Sequence, residues 1–181
     1  MRIISGKYKG KRINAPKGLP VRPTTDMAKE ALFNILNNGY YFDEISVLDL
    51  FSGTGNISYE FASRGTEDIV AVDANAKCIK FIEQTSQANS FNIATVKSDV
   101  FTYLQRVPVQ ADIIFADPPY DMSVEDFAKI PELIFTNGLL KEHGVLILEH
   151  SKHTALSQLR NFSHQRKYGG SIFSFFTATD I

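Results

Sequence analysis

The stretch from Ile45 to Asp73 reads "ISVLDLFSGTGNISYEFASRGTEDIVAVD" and decides the fold. Its first apolar run leads into a turn at Gly53 and Gly55, where glycine permits a tight bend and close approach of the backbone to a ligand. A helical stretch, "NISYEFASRG", follows, and a second apolar run, "DIVAVD", ends the segment. Strand, helix and strand in this order predict a parallel pair with a crossover helix, the repeating unit of an α/β fold.

The same alternation continues toward the C-terminus. Three more strands are predicted in "ATVKSD", "ADIIFA" and "GVLILEH", separated by helices in "NAKCIKFIEQTSQANSF", "DVFTYLQRV" and "SVEDFAKIPELIF". The final segment, "FSHQRKYGGSIFSFFTAT", predicts two strands joined near Gly169–Gly170, hence an antiparallel hairpin at the sheet edge. The expected architecture is a doubly wound, mostly parallel seven-stranded sheet that ends in this hairpin.

The N-terminal segment differs in charge from the rest of the chain. "RIISG" and "GKRINA" predict a small β-hairpin, followed by a Pro/Gly-rich loop and a helix in "DMAKEALFNILNN" that Thr24 or Thr25 can cap. Residues 1–25 carry seven Lys or Arg side chains and no acid, whereas the remainder has a net charge of −8. A basic arm on an acidic body indicates contact with a polyanion, although a merely solvated lysine-rich hairpin is the alternative.

Composition excludes several classes of protein. The 181 residues are 44% hydrophobic and 22% charged, which suits one soluble domain with a small appendage. No apolar run approaches the roughly 18 residues of a membrane span, and the first residues lack a signal-peptide core, so a cytoplasmic location is expected. The single cysteine, Cys78, allows no intramolecular disulfide and is expected in the core, and the four histidines lack ligand spacing; no metal site is expected.

Acidic residues follow three of the predicted strands, at Asp49, Asp73 and Asp99. Ligands of doubly wound folds bind at these carboxyl ends, so Asp73 can accept ribose hydroxyls and Asp99 can reach an adenine amino group. Each acid alone is equally typical of a helix cap. Ser58 replaces the third glycine of a dinucleotide motif and no phosphate-binding P-loop is present, which leaves adenosylmethionine, with Asp49 at its methionine end, as the better cofactor.

The motif "ADIIFADPPY", residues 111–120, ends the fourth strand with two prolines. Neither proline donates a backbone hydrogen bond and each fixes φ, so the loop is stiff and holds Asp117 and Tyr120 in fixed relation. An ordinary strand-ending turn is the alternative interpretation.

Together, "DLFSGTG", the acid at Asp73, "SD" at 98–99 and "DPPY" at 117–120 resemble the motifs of methyltransferases that modify exocyclic amines of bases. "RIISG", "RPTTD" at 22–26 and "EALFNIL" resemble specifically the RsmD family, the bacterial 16S ribosomal RNA guanine-N2 methyltransferases. The sequence departs from that family at Met27 and Ala28, where basic or larger residues are usual, and at the helix start Asn56–Tyr59. The resemblance implies a Rossmann-like methyltransferase fold, S-adenosyl-L-methionine as cofactor, ribosomal RNA or the small ribosomal subunit as partner, and a monomer.

The chemistry explains the proline-rich loop. A guanine N2 lone pair is delocalised into the ring, so fixed acceptors are needed to aim the amine. Asp117 can accept one N–H and the Pro118 carbonyl the other, while Tyr120 offers a face on which an extruded base stacks. The expected catalytic residues are Asp117, Pro118, Pro119 and Tyr120. The expected cofactor-binding residues are Asp49, Phe51, Ser52, Gly53, Gly55, Asp73, Ala74, Asp99 and Val100. The expected RNA-binding residues are Arg2, Lys7, Lys9, Lys11, Arg22 and Thr24.

This interpretation divides the chain into an RNA-binding arm, residues 1–23, and a methyltransferase domain, residues 24–181. Two other functions stay open. An adenine-N6 methyltransferase of DNA would use the same loop, although the chain leaves little room for a separate base-reading domain. A non-catalytic RNA-binding protein of the same fold is the other, although an intact loop and cofactor turn argue against lost catalysis.

Overall fold

The computed structural model describes residues 1–19 and 24–178. The helices are α1 (Asp26–Leu36), α2 (Asn56–Ser63), α3 (Ala76–Asn89), α4 (Val100–Arg106) and α5 (Val124–Thr136). The strands are β1 (Ser46–Leu50), β2 (Asp68–Asp73), β3 (Ile93–Lys97), β4 (Ala111–Ala116), β5 (Leu140–His150), β6 (Phe162–Tyr168) and β7 (Ser171–Thr177). Every helix and strand predicted from Ile45 onward is present. The described helices include none with the length and apolarity of a membrane span.

The seven strands form one sheet in the order β3-β2-β1-β4-β5-β7-β6. The first five are parallel, β7 pairs antiparallel with β5, and β6 pairs antiparallel with β7 at the sheet edge. The predicted doubly wound sheet with a C-terminal antiparallel hairpin is therefore confirmed. The chain order reverses between β1 and β4, which is where such folds open a crevice for a ligand.

Helices cover both faces of the sheet. On one face, Leu32 of α1 and Phe61 of α2 pack with Phe115 and Phe173 of the sheet. α3 lies on the same side, where its Ile82 joins a smaller cluster. On the other face, α4 and α5 pack in a cluster that includes Leu104, Phe127, Ile130, Leu148 and Phe176. Burial on both faces explains why the central strands are nearly continuous apolar runs.

The N-terminal arm, residues 1–19, is a hairpin in outline, but the prediction of two strands there is wrong. A single antiparallel bridge joins Arg2 to Arg12. The next N–H groups along the first segment, those of Ile4 and Ser5, donate to the carboxylate of Glu60 at 2.8 and 3.0 Å instead of continuing a strand ladder. Contact with the body thus replaces strand pairing, as expected for a two-stranded ribbon too short to be stable alone.

Glu60 is the centre of a buried charge cluster that joins the arm to the body. Its carboxylate lies 3.4 Å from Lys29 Nζ and 3.0 Å from Arg64 Nε, and Lys29 also donates to the carbonyl of Arg2 at 2.7 Å. Burial lowers the pKa of Lys29, and the nearby Glu60 carboxylate acts against that shift. Removing one member of such a cluster leaves an uncompensated buried charge, so the arm is firmly attached.

Candidate active site

A cavity of about 440 Å³ opens at the carboxyl ends of the parallel strands, where the chain order reverses. It brings together residues from segments 24, 49–57, 73–78, 99–100 and 115–120 of the chain. All the predicted catalytic residues line it, and so do Thr24 and every predicted cofactor-binding residue except Gly55. The lining consists of Thr24, Asp49, Phe51, Ser52, Gly53, Thr54, Asn56, Ile57, Asp73, Ala74, Asn75, Cys78, Asp99, Val100, Phe115, Asp117, Pro118, Pro119 and Tyr120.

The glycine turn after β1 forms one wall. Gly53 and Gly55 have φ values of +52° and +85°, which residues with a Cβ rarely adopt. A Cβ on Gly55 would lie 2.7 Å from the ring of Tyr59, so this glycine lets the turn pack on the first turn of α2. Its role is to shape the wall and not to line it.

Asp73, the last residue of β2, holds that turn in place. Its carboxylate accepts the N–H of Gly53 at 2.8 Å and the N–H of Asn75 at 2.7 Å. A carboxylate offers about four acceptor positions, so capacity remains for the two hydroxyls of a ribose. The sequence prediction for Asp73 is consistent with this geometry.

Asp49 differs from the other acids because it lies inside β1 and is 1% exposed. Ser58 Oγ donates to its Oδ2 at 2.6 Å. Burial raises the pKa of Asp49 to about 7; the Ser58 hydrogen bond opposes the shift and the Asp73 charge adds to it. Asp49 is therefore a carboxyl group poised between its neutral and ionised forms at neutral pH.

Asp99 caps α4, since its Oδ1 accepts the N–H of Thr102 at 2.9 Å. The alternative role considered for this acid, a helix cap, is thus confirmed, and the same side chain also lines the cavity. Val100, the next residue, is buried and gives the cavity an apolar patch beside it.

The lining favours some ligands over others. Asp49, Asp73, Asp99 and Asp117 are acidic, and the described lining includes no Lys, Arg or His. Such a wall suits a cationic ligand with hydroxyl groups and opposes the phosphates of a dinucleotide. Ser52 Oγ is also buried there without a hydrogen-bond partner in the described part of the chain, which is expected of a group that waits for a ligand. The residues present therefore fit adenosylmethionine.

The loop after β4 forms the mouth of the cavity. The N–H of Asp117 faces the carbonyl of Leu50 at 3.4 Å, and Met122 N donates to the Pro119 carbonyl at 3.0 Å, which closes a turn. Pro118 is buried, whereas 45% of Tyr120 is exposed. The expected stiff loop is present, with its carboxylate and its aromatic ring on the same cavity.

A second wall was only partly foreseen. The Thr24 hydroxyl donates to Glu149 Oε2 at 2.5 Å, and Ser171 Oγ donates to Oε1 of the same carboxylate at 2.7 Å. Asn56 Nδ2 donates to the Thr24 carbonyl at 3.0 Å, and its Oδ1 accepts from Lys29 at 2.8 Å. Sequence reasoning missed Glu149 and Asn56. Glu149 carried a usable signal, because it too follows an apolar strand run, "GVLIL".

The predicted RNA-binding residues of the arm do not line the cavity. Arg2 lies on the near side, paired with Asp26 at 3.1 Å. Lys7 donates its backbone N–H to Ser63 at the far end of α2, roughly 12 Å from the end of that helix at the cavity. Lys9 and Lys11 are exposed in the same part of the arm. Arg22, also predicted to bind RNA, lies outside the described residues.

Tyr8, between those lysines, packs against the body. Its hydroxyl donates to the Asn89 carbonyl at 2.7 Å and its ring meets Phe91 edge-on. The Nζ atoms of Lys7 and Lys11 each lie 5.5 Å from the centre of the Tyr8 ring. The arm thus presents ammonium groups, and its one aromatic ring is used for attachment.

Cys78 is buried, as predicted, although it borders the cavity. Burial raises the pKa of its thiol to about 11, so it is protonated at neutral pH and a poor nucleophile. Within residues 1–19 and 24–178 no cluster of acidic, Cys or His side chains could hold a metal ion.

Comparison with known proteins supports this description. The sequence model of a family described as "Conserved hypothetical protein 95" matches residues 1–177. The Bacillus subtilis protein YlbH is 32% identical over 170 residues, which cover 87% of this chain and 86% of the relative. "Ribosomal RNA small subunit methyltransferase D" of Escherichia coli is 26% identical over 175 residues, which cover 95% and 86%.

The fold also matches solved structures. A Thermus thermophilus chain, titled as a 16S rRNA N2 G1207 methyltransferase in complex with AdoMet and guanosine, superposes with a TM-score of 0.69 at 21% identity. The match covers 88% of this chain and 45% of that one. The predicted Rossmann-like methyltransferase architecture is confirmed.

Proposed function

Because the chain belongs to the family described as conserved hypothetical protein 95, we propose that it is an S-adenosyl-L-methionine-dependent ribosomal RNA methyltransferase. Its substrate is the exocyclic N2 amine of a guanine in 16S ribosomal RNA. The names of the Escherichia coli relative and of the Thermus thermophilus neighbour support the RNA and the amine. The observation that carries the proposal is the acid-lined cavity with Asp117 to Tyr120 at its mouth.

The inner half of the cavity holds the cofactor, which supplies an electrophilic sulfonium methyl group when bound. Asp73 accepts the ribose hydroxyls and Asp99 accepts from the adenine amino group. Asp49, in its ionised form, faces the ammonium of the methionine part. The glycine turn keeps Cβ atoms out of the way, and Ser52 donates or accepts one further hydrogen bond.

The loop from Asp117 to Tyr120 prepares the amine. Asp117 accepts one N–H and the Pro118 carbonyl accepts the other, which aims the nitrogen lone pair into the cavity. Both acceptors also stabilise the positive charge that develops on nitrogen, the kind of stabilisation whose loss typically slows an enzyme by about 10² to 10³. The N–H proton becomes acidic once the methyl group is attached, so Asp117 can take it without being a strong base.

Tyr120 positions the base. Its ring is partly exposed at the mouth of the cavity, and a flipped guanine can stack on it before reaching the acceptors. The buried Pro118 beneath the loop prevents the acceptors from moving toward bulk water. The enzyme is expected to act as a cytoplasmic monomer.

Methyl transfer from labelled cofactor tests the function. The substrate is small-subunit RNA from cells that lack a methyltransferase of this family, and the product is digested to nucleosides. Label in N2-methylguanosine is the expected result. Label in N6-methyladenine of a DNA substrate, or cofactor binding without transfer to any RNA or assembled small subunit, contradicts the proposal.

A further inference from the structure

We infer that the tip of the C-terminal hairpin, Arg166 and Lys167 before the β6–β7 turn, is a second RNA-binding surface that grips the phosphate backbone beside the cavity. The inference rests on the proposed function and specifies how its RNA is held. Neither residue was singled out from the sequence.

Sheet topology places this tip at the right edge of the molecule. β7 is antiparallel to β5, with Ile172 opposite His150, the last residue of β5. β6 in turn ends at Tyr168, opposite Ser171. The β6–β7 turn therefore lies at the carboxyl end of β5, the same edge at which β1 and β4 open into the cavity.

Side-chain contacts connect the tip to the cavity wall directly. Glu149 accepts hydrogen bonds from Thr24, which lines the cavity, and from Ser171, the first residue after the turn. On the α1 side, a Cβ on Gly169 would lie 3.2 Å from the side chain of Met27, so the turn rests against the start of α1. The tip is thus a neighbour of the cavity mouth on the side opposite to the cofactor acids.

Charge identifies the partner. Residues 26–150 carry 19 acidic and eight basic side chains, whereas residues 151–179 carry four basic ones and no acid. Arg166 and Lys167 are both exposed, and within the described residues neither lies within 4 Å of a carboxylate. An uncompensated pair of cations on an acidic body suits a polyanion.

The two side chains point to opposite faces of the edge strand. Arg166 pairs with Phe173, whose ring packs on the α1 face, and Lys167 pairs with Ile172 on the alternate register position. Together they flank the strand edge, which allows a backbone that crosses the turn to contact both. Arg2, the basic residue of the arm nearest to the cavity, lies near the start of α1, through its pair with Asp26.

The hairpin supplies its own control. Arg160, just before β6, is also exposed but sits at the opposite end of that strand, roughly 23 Å away for seven residues at about 3.3 Å each. Arg160→Ala removes the same charge from the same hairpin without touching the tip. A long-range charge effect would be equal in the two places, whereas a phosphate contact would be lost only at the tip.

The experiment measures binding of the full chain to 16S ribosomal RNA at several salt concentrations. For the double variant R166A/K167A, the log–log salt dependence should flatten by about 1.4, the loss of two contacts at about 0.7 each, with affinity falling on the order of tenfold near physiological salt. The charge-conserving variant R166K/K167R should restore both values. An unchanged slope, or an equal change in Arg160→Ala, overturns the inference.

Two further readouts keep the outcomes distinct. Cofactor affinity and the melting temperature of R166A/K167A should equal those of the parent, since both side chains are exposed; a parallel loss of either would show a folding defect, which R166K/K167R would then expose by recovering stability without RNA affinity. If the parent transfers methyl groups to RNA but the tip variant binds normally, only this inference fails. If the parent transfers none, the proposed function fails.

Discussion

The two halves of the cavity are built in different ways. In the cofactor half, each acid has a partner nearby in sequence: Asp73 binds the N–H of Gly53 and Asp99 that of Thr102. In the substrate half, Thr24 meets Glu149 across 125 residues of chain, and Glu149 meets Ser171. The cofactor half is thus a local motif that any chain with this βα turn can form. The substrate half exists only after the arm end, the fourth and fifth strands and the hairpin have packed together.

The largest expected effect separates chemistry from cofactor binding. Asp117→Ala removes an acceptor that matters most in the transition state, so single-turnover methyl transfer should fall by roughly 10² or more. Cofactor affinity, measured by calorimetry, should change little. Asp121→Ala, an exposed acid in the same loop, is the control and should keep the parent rate. A near-normal rate for folded Asp117→Ala would remove this residue from the chemistry.

A change in the cofactor half should have the converse effect. Asp73→Ala removes an ionised acceptor for the ribose and the restraint on Gly53, so cofactor binding should weaken by about 1.5–3 kcal/mol. Asp68→Ala, at the opposite end of the same strand, should leave cofactor binding unchanged. Calorimetry that finds equal affinity for Asp73→Ala and the parent would exclude Asp73 from the site.

The pH dependence of cofactor binding tests Asp49. The folded pKa of this carboxyl is about 7, so below pH 7 it is protonated and must lose its proton to face a cationic ammonium. Cofactor affinity should therefore fall as pH drops below 7, by up to about tenfold per pH unit, and level off above it. Asp49→Asn should abolish this dependence. A parent affinity that stays constant between pH 5.5 and 8 would contradict the role.

Folding stability should respond to Asp49 with the opposite sign. Its folded pKa lies above the reference value of about 3.9, so the folded state keeps a proton that the unfolded state has lost. The contribution of Asp49 to stability without cofactor is full below pH 4 and declines as pH rises toward 7. Denaturant midpoints that fall less steeply over this range in Asp49→Asn than in the parent are the expected result.

The smallest expected effect on catalysis concerns the arm. Replacing Lys7, Lys9 and Lys11 together by Ala should flatten the salt dependence of RNA binding by up to about 2, at about 0.7 per contact, and weaken binding. Turnover at saturating RNA and cofactor affinity should not change, because these lysines lie at the far end of α2 from the cavity. The triple Lys→Arg variant should behave as the parent. An unaltered slope in the Ala variant would mean that the arm is a solvated surface.

The sequence by itself determined the fold and the cofactor half. Apolar runs with helical stretches between them specify parallel strands, and parallel strands end at a common edge, so acids after the strands must converge there. Glycines at 53 and 55 and prolines at 118 and 119 restrict the backbone locally, and that restriction is readable without any partner. The fold and the residues around the cavity were therefore predictable.

Only the tertiary structure decided the rest. The ionisation of Asp49 depends on how deeply β1 is buried, and the position of Lys7 depends on Glu60 drawing the arm along α2. The Thr24 and Glu149 contact and the placement of Arg166 depend on which strand the hairpin joins. Periodicity and turn chemistry act over a few residues, whereas burial and hydrogen bonds between distant segments depend on which surfaces meet, and local sequence does not encode that choice.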